Sequence, residues 1–134
     1  MVHGHDNQVR INTEISADQF IDVLNRSTLD QRRPIDDREC IEGMIKNANL
    51  MVTAWDGSTL VGVSRSVTDF HYACYPSDLA VDVAYQRSGI GRELIRHTQT
   101  QSGPRCRIRL IAAQAAADYY ARVGFVPNTK CWES

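Results

Sequence analysis

The chain of 134 residues is read as a single mixed α/β domain of the α+β kind. A mostly antiparallel central sheet of about six to seven strands is expected, with one parallel pair and about four helices. Three observations lead there. The apolar spacing changes from helical to alternating along the chain. Asp56-Gly57 separates two strand-like runs, as in a tight hairpin. An apolar strand then enters a glycine loop and an amphipathic helix before another strand, which is a right-handed parallel crossover. The length suits one domain with a core that needs neither disulfide nor metal.

The elements follow in order. Val9 and Ile11 alternate with Arg10 and Asn12 over residues 8–14, a half-buried strand. Ser16-x-x-Gln19 is a capping box opening a helix whose apolar face is Phe20, Val23 and Leu24, and Pro34 interrupts that pattern. A second helix starts near Asp36 or Asp37 and carries Cys40, Ile41, Met44, Ile45 and Ala48 on one stripe. Strands over 50–55 and 59–67 form the hairpin. A third strand covers 71–83, where Pro76 cannot donate to a ladder and predicts an interruption or bulge before Asp78. A helix from about Gly89 stops at Ser102-Gly103-Pro104, and Cys106, Ile108 and Leu110 alternate after it. A last helix is expected over 114–123 with Gly124 as its C′ residue, then short terminal strands over 125–133.

Fifteen basic against sixteen acidic side chains provide no electrostatic case for nucleic acid or an anionic membrane. Cys40, Cys74, Cys106 and Cys131 lack paired zinc spacing and read as reduced thiols. With no secretory signal or long apolar span in the sequence, a cytoplasmic protein is expected. His3 and His5 have no further ligands near them in sequence, so no metal is assigned.

The most informative stretch is Leu79-Ala80-Val81-Asp82-Val83-Ala84-Tyr85-Gln86-Arg87-Ser88-Gly89-Ile90-Gly91-Arg92-Glu93-Leu94-Ile95. At a strand–loop–helix junction the first helical N–H groups lack intrahelical partners and the helix dipole adds positive charge, so a pyrophosphate can sit there. Gly89 and Gly91 allow its oxygens to approach the backbone. The stretch has neither the three glycines and downstream acid of a dinucleotide fingerprint nor the Lys-Ser/Thr of a P-loop.

Gln86-Arg87-Ser88-Gly89-Ile90-Gly91, preceded by Leu79-Ala80-Val81, resembles the acetyl-CoA motif of the GNAT superfamily of N-acetyltransferases, an apolar strand, Q/R-x-x-G-x-G/A and a helix. Ala116-Ala117-Asp118-Tyr119-Tyr120-Ala121-Arg122-Val123-Gly124-Phe125 is similar to its C-terminal signature, an aromatic pair followed by Gly-Phe. The two blocks stand in the family's order and spacing, and with the elements around them the resemblance covers about residues 50–125, while the N-terminal third carries no diagnostic residue.

The resemblance implies the acyl-CoA N-acyltransferase fold, with the parallel pair splayed to admit the pantetheine arm of acetyl-CoA. Backbone at Leu79, Ala80 and Val81 would pair with that arm. Val83, Gln86, Arg87, Ser88, Gly89, Ile90, Gly91 and Arg92 would complete the cofactor site, the loop backbone holding the phosphates. Tyr120 would protonate the leaving thiolate, with Tyr119 turned to the core. Asp78, just before Leu79, is the leading candidate for the base, Asp69 and His71 being weaker ones. Against these stand plainer readings: both tyrosines simply pack, and Asp78 is an exposed carboxylate beside a proline turn. The family's asparagine after the fifth strand is Ala113 here, which removes one pantetheine contact.

The function expected is transfer of an acetyl group from acetyl-CoA to a primary amine, on a small molecule or a protein, in a direct ternary complex. The alternatives are a non-catalytic CoA-binding sensor or assembly subunit, and an unrelated phosphate-binding domain. The resemblance also implies a homodimer, in which the short C-terminal strand expected after Phe125 could pair across the interface.

Overall fold

A computed structural model describes residues 7–27, 29–113 and 116–134. His3, His5 and Gln114, the expected start of the last helix, lie outside the described residues. The elements are β1 (Asn7–Ile11), α1 (Ala17–Ser27), α2 (Arg38–Asn47), β2 (Leu50–Asp56), β3 (Thr59–Thr68), β4 (Ala73–Val81), α3 (Ile90–Ser102), β5 (Arg107–Ile108) and α4 (Ala117–Arg122). The strands stand in the order β1-β2-β3-β4-β5, antiparallel except for the parallel β4–β5 pair that α3 connects.

Local chemistry accounts for the helix starts. The Ser16 N–H donates to Gln19 Oε1 at 2.9 Å and the Gln19 N–H to Ser16 Oγ at 3.1 Å, so the capping box is reciprocal. Asp37 caps α2 by accepting from the Cys40 N–H at 3.0 Å.

Both faces of the sheet are covered, which is why β2 is buried nearly throughout. Met51 and Trp55 join Phe20, Val23, Leu24 and Ile41 beneath α1 and α2, while Leu50, Val52 and Ala54 join Ile90 and Leu94 of α3 on the other face. Phe20, Leu24, Ile41 and Leu94 are fully buried, each contributing about 1.5–3 kcal/mol by leaving water. At Gly62 a Cβ would stand 3.1 Å from both Ile90 and Leu94, so α3 lies tightly on β3.

The bulge expected at Pro76 is present: Arg65 pairs with Asp78 but Ser66 pairs with Pro76, leaving Ser77 as the extra residue of β4. The strand count needs correcting. Five strands form among the described residues, rather than six to seven, and no strand lies in 125–134. Pro127 offers no ladder donor, and Val126 and Trp132 are 84% and 92% exposed, so no apolar face holds that segment against the sheet.

Candidate active site

The β4–β5 pair opens as the resemblance implies. Pairing is confined to Ala73 with Arg107 and Cys74 with Ile108, followed by an Arg109 N–H to Cys74 carbonyl bond at 3.0 Å, whereas β4 runs on to Val81. A narrow, mainly apolar seam remains between the strands and α3, lined by Pro76, Leu79, Ile95, Ile108 and Leu110 together with Ser64 and Thr98, whose hydroxyls hydrogen-bond each other at 2.9 Å.

Register decides which backbone groups face this opening. The Asp82 N–H donates to the Val61 carbonyl at 2.8 Å, and hydrogen-bonded pairs alternate along an antiparallel ladder. Ala80 and Asp78 therefore direct their backbone groups to β3, while Leu79 and Val81 direct theirs to the open edge. The Val81 carbonyl accepts from Gln86 Nε2 at 3.0 Å.

The loop from β4 to α3 is built from its own side chains. Asp82 accepts from the Ala84 N–H at 2.8 Å and is ion-paired with Arg26. Ser88 Oγ donates to the Tyr85 carbonyl. Gln86 and Ser88, expected to touch the cofactor, thus have side chains engaged in shaping the loop, and Val83 lies exposed on a short 3-10 turn. Arg87 is in the left-handed region with φ 68, a conformation that costs a non-glycine residue free energy and is found at ligand-holding loops.

Gly89, at φ 90, is the N-cap of α3 with no side-chain capping bond. The N–H groups of the first helical turn are consequently available to an anion. Arg87 and Arg92 are exposed on either side of it, and among the described residues neither forms an ion pair. Ile90 is buried under the sheet, so it can offer this site only its backbone.

Tyr120 lies edge-on between the rings of Tyr119 and Phe125, at centroid distances of 5.5 and 5.6 Å. Burial, reinforced by the neighbouring Tyr119, pushes its hydroxyl up to about 12, so it stays protonated at any physiological pH. Tyr119 does not turn to the core as expected. Its hydroxyl lies over the first turn of α3, where a Cβ on Gly91 would stand 2.5 Å from it.

Asp78 is fully buried on the α1–α2 side of the sheet, ion-paired through one oxygen with Arg33 and through the other with Arg65. Arg33 also donates to the bulged Ser77 carbonyl at 2.7 Å, and Arg65 to the Met44 carbonyl at 3.3 Å. Sequence reasoning missed both arginines. A signal existed for one of them: Arg65 takes the place of an apolar residue in the alternating series Val61, Val63 and Val67, and a cation there needs a buried partner. Asp69 Oδ1 accepts from the N–H groups of His71, Tyr72 and Ala73 at 2.8–3.0 Å. Those backbone donors hold its carboxyl down at about 2.

Among the described residues no three His, Cys, Asp or Glu side chains converge as a metal site, and no helix is long and apolar enough to cross a membrane.

The fold is shared with solved acetyltransferases. A protein from Deinococcus radiodurans described as an acetyltransferase superposes with a TM-score of 0.77 at 19% identity, covering 98% of this chain and 90% of its own. An aminoglycoside acetyltransferase from an uncultured soil metagenomic sample, solved with sisomicin, gives 0.70 at 21% identity over 97% and 95%. The aminoglycoside N-acetyltransferase AAC(6')-Iy, solved with CoA, gives 0.71 at 13% identity over 96% and 93%. No curated protein sequence matches this one. The family model of the acetyltransferase (GNAT) domain matches residues 12–131. An opened parallel pair leading into an uncapped helix, within a chain matched over that length, makes this protein a member of the GNAT acetyltransferase family.

Proposed function

We propose that the protein transfers an acetyl group from acetyl-CoA to an amine carried by a small molecule, in a direct ternary complex. One observation carries the reading: the open β4 edge at Leu79 and Val81 leads directly to the uncapped N-terminus of α3, between Arg87 and Arg92. An extended amide-bearing arm suits the edge, and a pyrophosphate suits the helix end. Acetyl-CoA supplies the acyl group as an activated thioester. The amine acceptor is inferred from the neighbours named as aminoglycoside acetyltransferases, one of them solved with sisomicin.

In this reading the loop N–H groups bind and orient the donor, and the seam along Leu79 and Ile108 keeps water from the reacting carbonyl. The neutral amine nitrogen forms a bond to the acetyl carbon, the carbon–sulfur bond breaks, and the sulfur takes the Tyr120 proton while the nitrogen releases its own to solvent. The low-dielectric surroundings that hold the Tyr120 proton raise a thiolate's proton affinity as well, which keeps the transfer feasible. Asp78 has a positioning role. Its carboxylate is engaged by two guanidiniums and out of contact with solvent, so it is not placed to collect the amine proton.

The test is thermal stabilisation by acetyl-CoA, CoA, NADP and ATP side by side, followed by thiol release with a panel of amines. A shift selective for the two CoA species, then release with an amine, supports the enzyme. Binding with no release for any amine points to the sensor or assembly-subunit alternative, and absence of a CoA-selective shift rejects the donor.

A further inference from the structure

Helix α4 brings onto the phosphate end of the site a side chain that the glycine-loop motif does not include. The Tyr119 oxygen lies so close to Gly91 that an added Cβ would be 2.5 Å from it and 3.2 Å from the ring carbon bearing it. Among the described residues this hydroxyl has no hydrogen-bond partner. It is half-buried, so an unused donor there is costly unless something else fills it. Beside it is the first turn of α3 with its free N–H groups, and burial raises the hydroxyl above its ordinary value despite the opposing charges of Arg92 and Arg122, so it is held as an O–H donor. The free N–H groups of the α3 first turn and the Tyr119 O–H are all donors, and an anion with several acceptor oxygens would satisfy them together.

We propose that Tyr119 is a direct ligand of the CoA pyrophosphate, donating its O–H to a phosphate oxygen. The assignment rests on the acetyl-CoA reading above and extends it. The cradle is then closed from two elements, α3 from below and α4 from above. It also explains the residue at position 91: the motif accepts alanine there, but in this chain a methyl group would displace the tyrosine oxygen.

The experiment compares CoA binding by the wild type, Tyr119→Phe, Gly91→Ala and the double variant by calorimetry, with phosphorus NMR of bound CoA. Tyr119→Phe keeps the ring and loses only the oxygen. It is expected to weaken CoA binding about tenfold, as for loss of a hydrogen bond to a charged group, and to shift the diphosphate resonances while leaving the 3′-phosphate resonance in place. Gly91→Ala is expected to weaken binding on its own and to cost much less once the oxygen is absent, so the two losses do not add. The Gly91→Ala arm keeps the test decisive if Tyr119→Phe folds poorly.

Wild-type affinity in Tyr119→Phe, unmoved diphosphate resonances or additive losses would each overturn the assignment while leaving the donor intact. A wild type that does not bind CoA overturns the acetyl-CoA reading and this assignment with it.

Discussion

Arg65 and Asp78 face each other across β3 and β4 as a buried ion pair at the residue where β4 bulges. Arg33 completes the group from the segment between α1 and α2, holding both the Asp78 carboxylate and the Ser77 carbonyl. The bulge that turns the β4 edge outward is thereby fastened to the opposite face of the sheet. Asp78→Ala would leave two guanidiniums without their counter-charge, and loss of about 3–5 kcal/mol is expected. Urea denaturation measures it. A variant of native stability whose pH–rate profile alone changed would instead restore Asp78 as the base.

Tyr120→Phe is expected to lower kcat by about 10²–10⁴-fold, the range for loss of a positioned general acid, with CoA affinity within twofold or so of wild type. Thiol release at saturating donor and acceptor reads the first quantity and calorimetry the second. Equal kcat would remove Tyr120 from the chemistry.

Gly89 and Gly91 should respond differently to alanine. Gly89 has φ 90 with nothing within 4 Å of an added Cβ, so Gly89→Ala carries only the left-handed backbone cost, about 1–2 kcal/mol, visible as a lower Tm. Gly91 has no positive φ and meets Tyr119 instead. Its substitution is expected to appear mainly in CoA affinity.

Two titrations give stability a pH dependence at opposite ends. The Asp69 carboxyl falls from 3.8 to about 2 on folding because three backbone N–H groups bond its charged form. Its contribution is therefore present above the unfolded value and is lost as pH drops through about 2. The Tyr120 hydroxyl rises from 10.0 to about 12, so its contribution is present below 10 and is lost as pH climbs towards 12. Asp69→Ala should remove part of the acid loss and Tyr120→Phe part of the alkaline loss, read from Tm against pH.

The parts of this fold visible in the chain are those made by near neighbours. The Ser16 capping box, the Asp56-Gly57 hairpin, the Pro76 bulge and the Leu79–Ile95 strand, loop and helix each depend on residues a few positions apart, whose spacing carries the physics. The expected terminal strands did not form because apolar residues in sequence are not enough. They need a face buried against the sheet, and 125–134 is exposed along most of its length, with Val126 and Trp132 in solvent.

Long-range packing settled the rest. Arg33 reaches Asp78 across 45 positions and Arg65 across 13, and such pairings depend on strand register and on where the α1–α2 connection crosses the sheet. Adjacent residues on a helix point about 100° apart, so the motif that names a tyrosine pair does not say which hydroxyl meets the phosphate cradle. The docking of α4 does: it brings Tyr119 over Gly91 and leaves Tyr120 between two rings. Sequence alone was sufficient for the family and its glycine loop because their signals are local. The partners of Asp78 and the orientation of Tyr119 required the folded chain, since each is a contact between segments that only tertiary packing brings together.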